Sequence, residues 1–114
     1  MSRITLGLAL FAALAFAIAA SASASAKVGK LTGTDGPGFT ITMSAKTVKA
    51  GSYVITIHDK SSIHNFHLTG PGVNKKTSVT ATGTFTWKVT LKKGTYKFVC
   101  DPHKTIMHGV LKVT

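Results

Sequence analysis

Four side chains able to bind a soft transition metal stand in a narrow arrangement: His64, Cys100, His103 and Met107. The last three fall within Cys100-Asp-Pro-His103-Lys-Thr-Ile-Met107, and His64 lies well upstream of them. Thiolate and thioether are soft donors that suit Cu(I), while two imidazoles keep Cu(II) acceptable. One thiolate and two imidazoles in a plane, with a weak axial thioether, hold copper in either state with little rearrangement. A structural zinc site draws on more cysteines and rarely on methionine. A closed set of four ligands leaves no open position for a substrate, and no spare acid or base suited to hydrolysis accompanies it. The chemistry these residues suit is electron exchange through one copper ion, so the chain does not read as an enzyme.

The elements that must position these residues read as strands. Residues 27–114 contain no Glu, no Gln and no Arg, and only three alanines and four leucines, against 16 threonines and 9 valines. That composition favours sheet over helix. Alternation of period two recurs along it. Tyr53, Ile55 and Ile57 alternate with Val54, Thr56 and His58; Phe85, Trp87, Val89 and Leu91 with Thr84, Thr86, Lys88 and Thr90; Tyr96, Phe98 and Cys100 with Thr95, Lys97 and Val99. Turn signals separate the runs, among them Gly33-Thr-Asp-Gly-Pro-Gly38, Gly70-Pro-Gly72 and Lys92-Lys-Gly94. Short strands, each with one apolar face, predict a two-sheet β-sandwich of seven or eight strands over 38–114. The expected inward set is Phe39, Ile41, Ile55, Ile57, Phe66, Phe85, Trp87, Val89, Phe98, Leu111 and Val113. Alternation turns Cys100 inward with Tyr96 and Phe98, and His64 inward with Phe66 and Leu68. It turns His67, the rival to His64, to the opposite face.

Composition divides the chain in two. Met1-Ser2-Arg3 is a short positive start, Ile4 to Ala20 is continuously apolar, and Ala24-Ser25-Ala26 fits a cleavage site. This predicts a signal peptide over 1–26 and one domain over 27–114, exported to the periplasm or the cell exterior with no stable membrane insertion after cleavage. The run is also just long enough to serve as an uncleaved anchor. A domain this small has a limited core and gains from a metal, a disulfide or a partner. Cys100 is the single cysteine, so no internal disulfide is available, and a metal would account both for the thiol and for the missing stability. Residues 27–114 carry 13 lysines against three acids, Asp35, Asp59 and Asp101. Lysine without arginine, scattered along an exported chain, argues against nucleic-acid reading and suits an acidic protein partner or polyanionic envelope material.

The Cys-x-Pro-His loop, followed by Met and a final strand begun by His108-Gly109, resembles the copper loop of the cupredoxins. That is the family of plastocyanin, pseudoazurin and amicyanin. His64-Asn65 is similar to the family's first ligand and the Asn after it, and Ser61-Ser-Ile-His-Asn-Phe-His-Leu-Thr-Gly-Pro-Gly72 resembles small secreted bacterial members. The resemblance covers nearly all of 38–114. It implies a Greek-key cupredoxin sandwich and one type 1 copper ion held by His64, Cys100, His103 and Met107. It also implies that Asn65 ties the His64 segment to the Cys100 loop. Pro102, lacking an N–H, cannot donate to the Cys100 sulfur, which favours a higher reduction potential. The Cys-x2-His-x3-Met spacing departs from the family, because plastocyanins place four residues before Met and amicyanins two; this bears on the axial bond. The implied function is a monomeric one-electron carrier that meets a protein redox partner, with copper delivery, buffering or resistance as the alternative use of the same residues.

Overall fold

The computed structural model describes residues 7, 11–18 and 27–114. The expected signal peptide over 1–26 lies largely outside these residues; residues 11–18 are exposed and form no regular element. Among the described residues no helix is long and apolar enough to cross a membrane.

Among the described residues, nine strands form two facing sheets. In chain order they are β1 (Gly29–Asp35), β2 (Ile41–Met43), β3 (Thr47–Val48), β4 (Gly51–Asp59), β5 (His67–Gly70), β6 (Val73–Lys76), β7 (Gly83–Leu91), β8 (Gly94–Val99) and β9 (His108–Val113). The first sheet has the order β2-β1-β4-β7 and the second β3-β9-β8-β5-β6. Both are mixed: β1 runs parallel to β4 and β3 parallel to β9, while the other pairs are antiparallel. Each sheet turns alternate residues inward. Leu31, Ile55, Ile57, Val89 and Leu91 from the first meet Leu68, Tyr96, Phe98, Leu111 and Val113 from the second, around Phe66. The single helical element among the described residues is a 3-10 turn, Asp101–His103, after β8.

Two features depart from the expectation. Strand β1 occupies part of the segment read as a turn, and the sandwich begins before residue 38. Its inward positions are Leu31, Gly33 and Asp35, only one of them a large apolar residue, so alternation is masked. Gly33 is small for a packing reason: a Cβ there would stand 2.7 Å from the Phe66 ring. Phe39, expected inward, precedes β2 and is 55% exposed. Ile41, Phe85 and Trp87 are half-buried against the core.

Strand pairing also sorts the turns into two ends. Asp59, Asp35 and Gly83 share one row, and Val99 pairs with His108; the loops beyond them make one end of the sandwich. Gly51 pairs with Leu91 and Gly94 with Val113, which places the β3–β4 and β7–β8 turns at the other end.

Candidate metal centre

Three ring or sulfur atoms converge at the first end. His64 Nδ1 and His103 Nδ1 are 3.1 Å apart, and Cys100 Sγ lies 3.7 Å from the former and 3.5 Å from the latter. The three residues form the one His/Cys/Asp/Glu cluster of metal-binding geometry among the described residues. Two imidazole lone pairs do not face each other at 3.1 Å without something positive between them, a proton or a cation. Donors about 2.0 Å (nitrogen) and 2.3 Å (sulfur) from one ion, at tetrahedral to trigonal angles, stand about 3.3–3.5 Å (N–N) and 3.5–3.7 Å (N–S) apart. Both N–S spacings fall in that range and the N–N spacing is 0.2 Å below it, so a slight parting of the two rings seats one small ion shared by all three.

The local fold explains the convergence. β8 delivers Cys100 inward at its end, and Cys100 is fully buried. The following loop closes on itself: His103 N donates to Cys100 O (3.0 Å), Met107 N to His103 O (2.8 Å), and Cys100 N to Met107 O (3.0 Å). Pro102 fits the first positions of the 3-10 turn, where its missing N–H is not needed. Met107 is thereby fixed beside Cys100 and is fully buried. His64 is also fully buried, but it stands in the loop before β5 rather than on a strand.

The residues around the three donors are tied tightly. Asn65 N donates to Cys100 Sγ at 3.4 Å, and Asn65 Nδ2 donates to Thr77 O at 3.2 Å and Asp101 Oδ2 at 2.8 Å. Asp101 N returns a bond to Asn65 Oδ1 at 2.8 Å. His67 faces away from the donors. Its Nδ1 is 2.8 Å from Asp101 Oδ1 and its Nε2 2.7 Å from Asn74 Oδ1. Partial burial works to raise the Asp101 carboxyl, but the hydrogen bonds from His67 and Asn65, with the charges of His67 and Lys104, outweigh it and hold it below its ordinary value. His58 pairs with Thr84 Oγ1 on the outer face of the first sheet, and His108 is exposed.

Two groups near the donors were not legible in advance. Phe39 lies edge-on to both imidazoles, 5.2 Å from the His64 ring and 5.0 Å from the His103 ring. It covers the histidine pair from the solvent side, which is why it is not in the core. Asp35 and Asp59, paired across β1 and β4, form a buried carboxyl pair at the same end. Asp59 accepts from Ser61 N and Thr77 Oγ1, whereas neither Asp35 oxygen meets a donor. Burial pushes the Asp35 carboxyl up to about 7, and the neighbouring Asp59 pushes it the same way. A proton on Asp35, offered to Asp59, relieves both groups.

A family model of the cupredoxin-like domain matches residues 7–113, and the chain belongs to that family. Solved structures share the fold. Rusticyanin from Thiobacillus ferrooxidans is 19% identical, with a TM-score of 0.59 over 79% of each chain. A methionine-to-glutamine variant of rusticyanin is 20% identical, with a TM-score of 0.60 over 79% of this chain and 80% of that one. Auracyanin A, a blue copper protein of Chloroflexus aurantiacus, is 16% identical, with a TM-score of 0.54 over 77% of this chain and 100% of that one. No curated protein sequence matches the chain.

Proposed function

We propose that the chain is an extracytoplasmic type 1 copper protein that carries single electrons. His64 Nδ1, Cys100 Sγ and His103 Nδ1 would hold the copper, with the Met107 thioether as a fourth, weaker donor. The observation that carries this reading is the mutual spacing of the first three atoms, which suits one ion, on a donor set soft enough for Cu(I) and acceptable to Cu(II). Copper bound there supplies a reversible one-electron couple. Residues 1–26 act as the export signal and residues 27–114 as the working domain, a monomer that binds no nucleic acid.

The protein's own residues define the rest. The Asn65–Asp101 pair sets the ligand spacing before metal arrives. His103 is the half-buried member of the set and is the electron port; Phe39 limits the water that reaches it. Exposed Ile63 and Ile106 add apolar surface at the same end, suited to brief contact with a protein partner, with lysines steering an acidic one. This reading makes the protein a carrier and not an enzyme.

Burial of His64, Cys100 and Met107 favours the carrier over a copper-delivery protein, because a ligand set sealed from water exchanges metal slowly. Stopped-flow reduction of the copper-loaded protein, run beside copper capture by a chelator, separates the two. The carrier reading expects electron transfer far faster than metal release. Release that keeps pace with electron transfer would instead establish metal delivery.

A further inference from the structure

All three carboxylate side chains of residues 27–114 lie toward the metal end, and none is free: Asp35 and Asp59 are buried, and Asp101 is held by His67 and Asn65. The opposite end has a different character. It is built from the entry to β1, the β3–β4, β5–β6 and β7–β8 turns, and the end of β9. Lys27, Lys49, Lys92 and Lys93 occupy those connections, with Lys112 close to the end of β9, and all five are exposed. No aspartate or glutamate stands among them. The platform is held together from beneath. The buried Tyr96 hydroxyl accepts from Lys92 N (2.9 Å) and donates to Pro71 O (2.8 Å), joining two of the turns.

We propose that this lysine end is a docking face for an anionic lipid bilayer, which holds the metal end outward. Three observations favour a bilayer over a protein. The charge covers a whole end of the molecule, not a cleft with matching walls. It is carried by lysine, a hydrated point charge suited to a diffuse anionic layer, and not by the arginine of bidentate contacts. And β1 starts at this end, so the export signal proposed for residues 1–26 joins the domain here and brings this end to the bilayer before it is removed. The attachment is peripheral and acts within a Debye length of about 8–10 Å.

The test is co-sedimentation of the full chain, as isolated, with vesicles of phosphatidylcholine alone or rich in phosphatidylglycerol. Two triple variants of equal net charge are compared: Lys49→Gln/Lys92→Gln/Lys93→Gln at the docking end, and Lys60→Gln/Lys75→Gln/Lys104→Gln elsewhere. These side chains are all exposed, so both variants keep the wild-type unfolding midpoint. The wild type is expected to bind the anionic vesicles selectively and to leave them at high salt. Each lysine near such a surface contributes roughly fivefold, so the first triple should weaken binding by roughly a hundredfold and the second by only a few-fold. Equal binding to both vesicle types would overturn the proposal, since apolar insertion would then explain it. So would equal weakening by the two triples, which reports net charge alone. Binding to soluble polyglutamate with no binding to anionic vesicles would assign the face to an acidic protein and overturn it as well.

Discussion

Asn65 and Asp101 grip each other at both ends. Asp101 N donates to Asn65 Oδ1 and Asn65 Nδ2 donates to Asp101 Oδ2, each at 2.8 Å. One residue follows His64 and the other follows Cys100, so this reciprocal pair sets the distance between two of the proposed ligands. Asn65→Ala would leave the Asp101 N–H and the Thr77 carbonyl without these partners, at about 1–3 kcal/mol each. Urea unfolding of the metal-free protein should show a loss of about 2–4 kcal/mol. A loss below about 0.5 kcal/mol would mean that the pair is incidental.

The buried Asp35 predicts a pH dependence of unusual sign. Its folded value, about 7, lies above its ordinary value of 3.8. Below pH ~4 the group is protonated in both states and stability is full. As pH rises toward 7 the unfolded chain releases the proton while the folded chain keeps it, so stability falls, by roughly 4 kcal/mol in all. Above about 7 both states are ionised and the decline stops. Asp101, held below its ordinary value, acts in the opposite sense and only at acid pH, its contribution being lost as pH falls below the ordinary carboxyl range. Asp35→Asn should flatten the decline between pH 4 and 7. Urea midpoints of metal-free protein across that range check this, and an unchanged slope would show that Asp35 ionises freely.

Phe39→Ala should leave the fold nearly intact, because the ring is more than half exposed. It removes two edge-on contacts with the histidine pair, each worth about 0.5–1.5 kcal/mol. Copper capture by a chelator should then quicken by roughly tenfold. An unchanged rate would remove Phe39 from the site.

What was legible in the sequence differs between these residues for physical reasons. Cys100, His103 and His64 announce themselves by donor chemistry, and alternation alone turned Cys100 inward and His67 outward. Phe39 was misplaced because apolar character does not distinguish a core residue from one that covers a site; only the start of β2 at Ile41 decides it. β1 was hidden because Gly33 and Asp35 occupy positions where a strand ordinarily shows large apolar residues. The Asp35–Asp59 pair depends on the parallel register of β1 against β4, and the His67–Asp101 contact on that of β5 against β8. Those registers are long-range properties that no local pattern encodes.

Met107→Gln should keep the thiolate and therefore the colour of the copper-loaded protein. Its harder oxygen favours Cu(II), so the reduction potential should fall. Protein-film voltammetry of the two proteins measures this. An unchanged potential would mean that Met107 only packs the loop.

The most direct test is titration of the protein with Cu(II), followed by visible absorption, for the wild type and for Cys100→Ser. Convergence of Cys100 Sγ with the two Nδ1 atoms requires an intense thiolate-to-copper band that saturates at one copper per chain and is missing from the serine variant. A wild type that binds one copper and stays colourless, or a band that survives Cys100→Ser, would contradict the account.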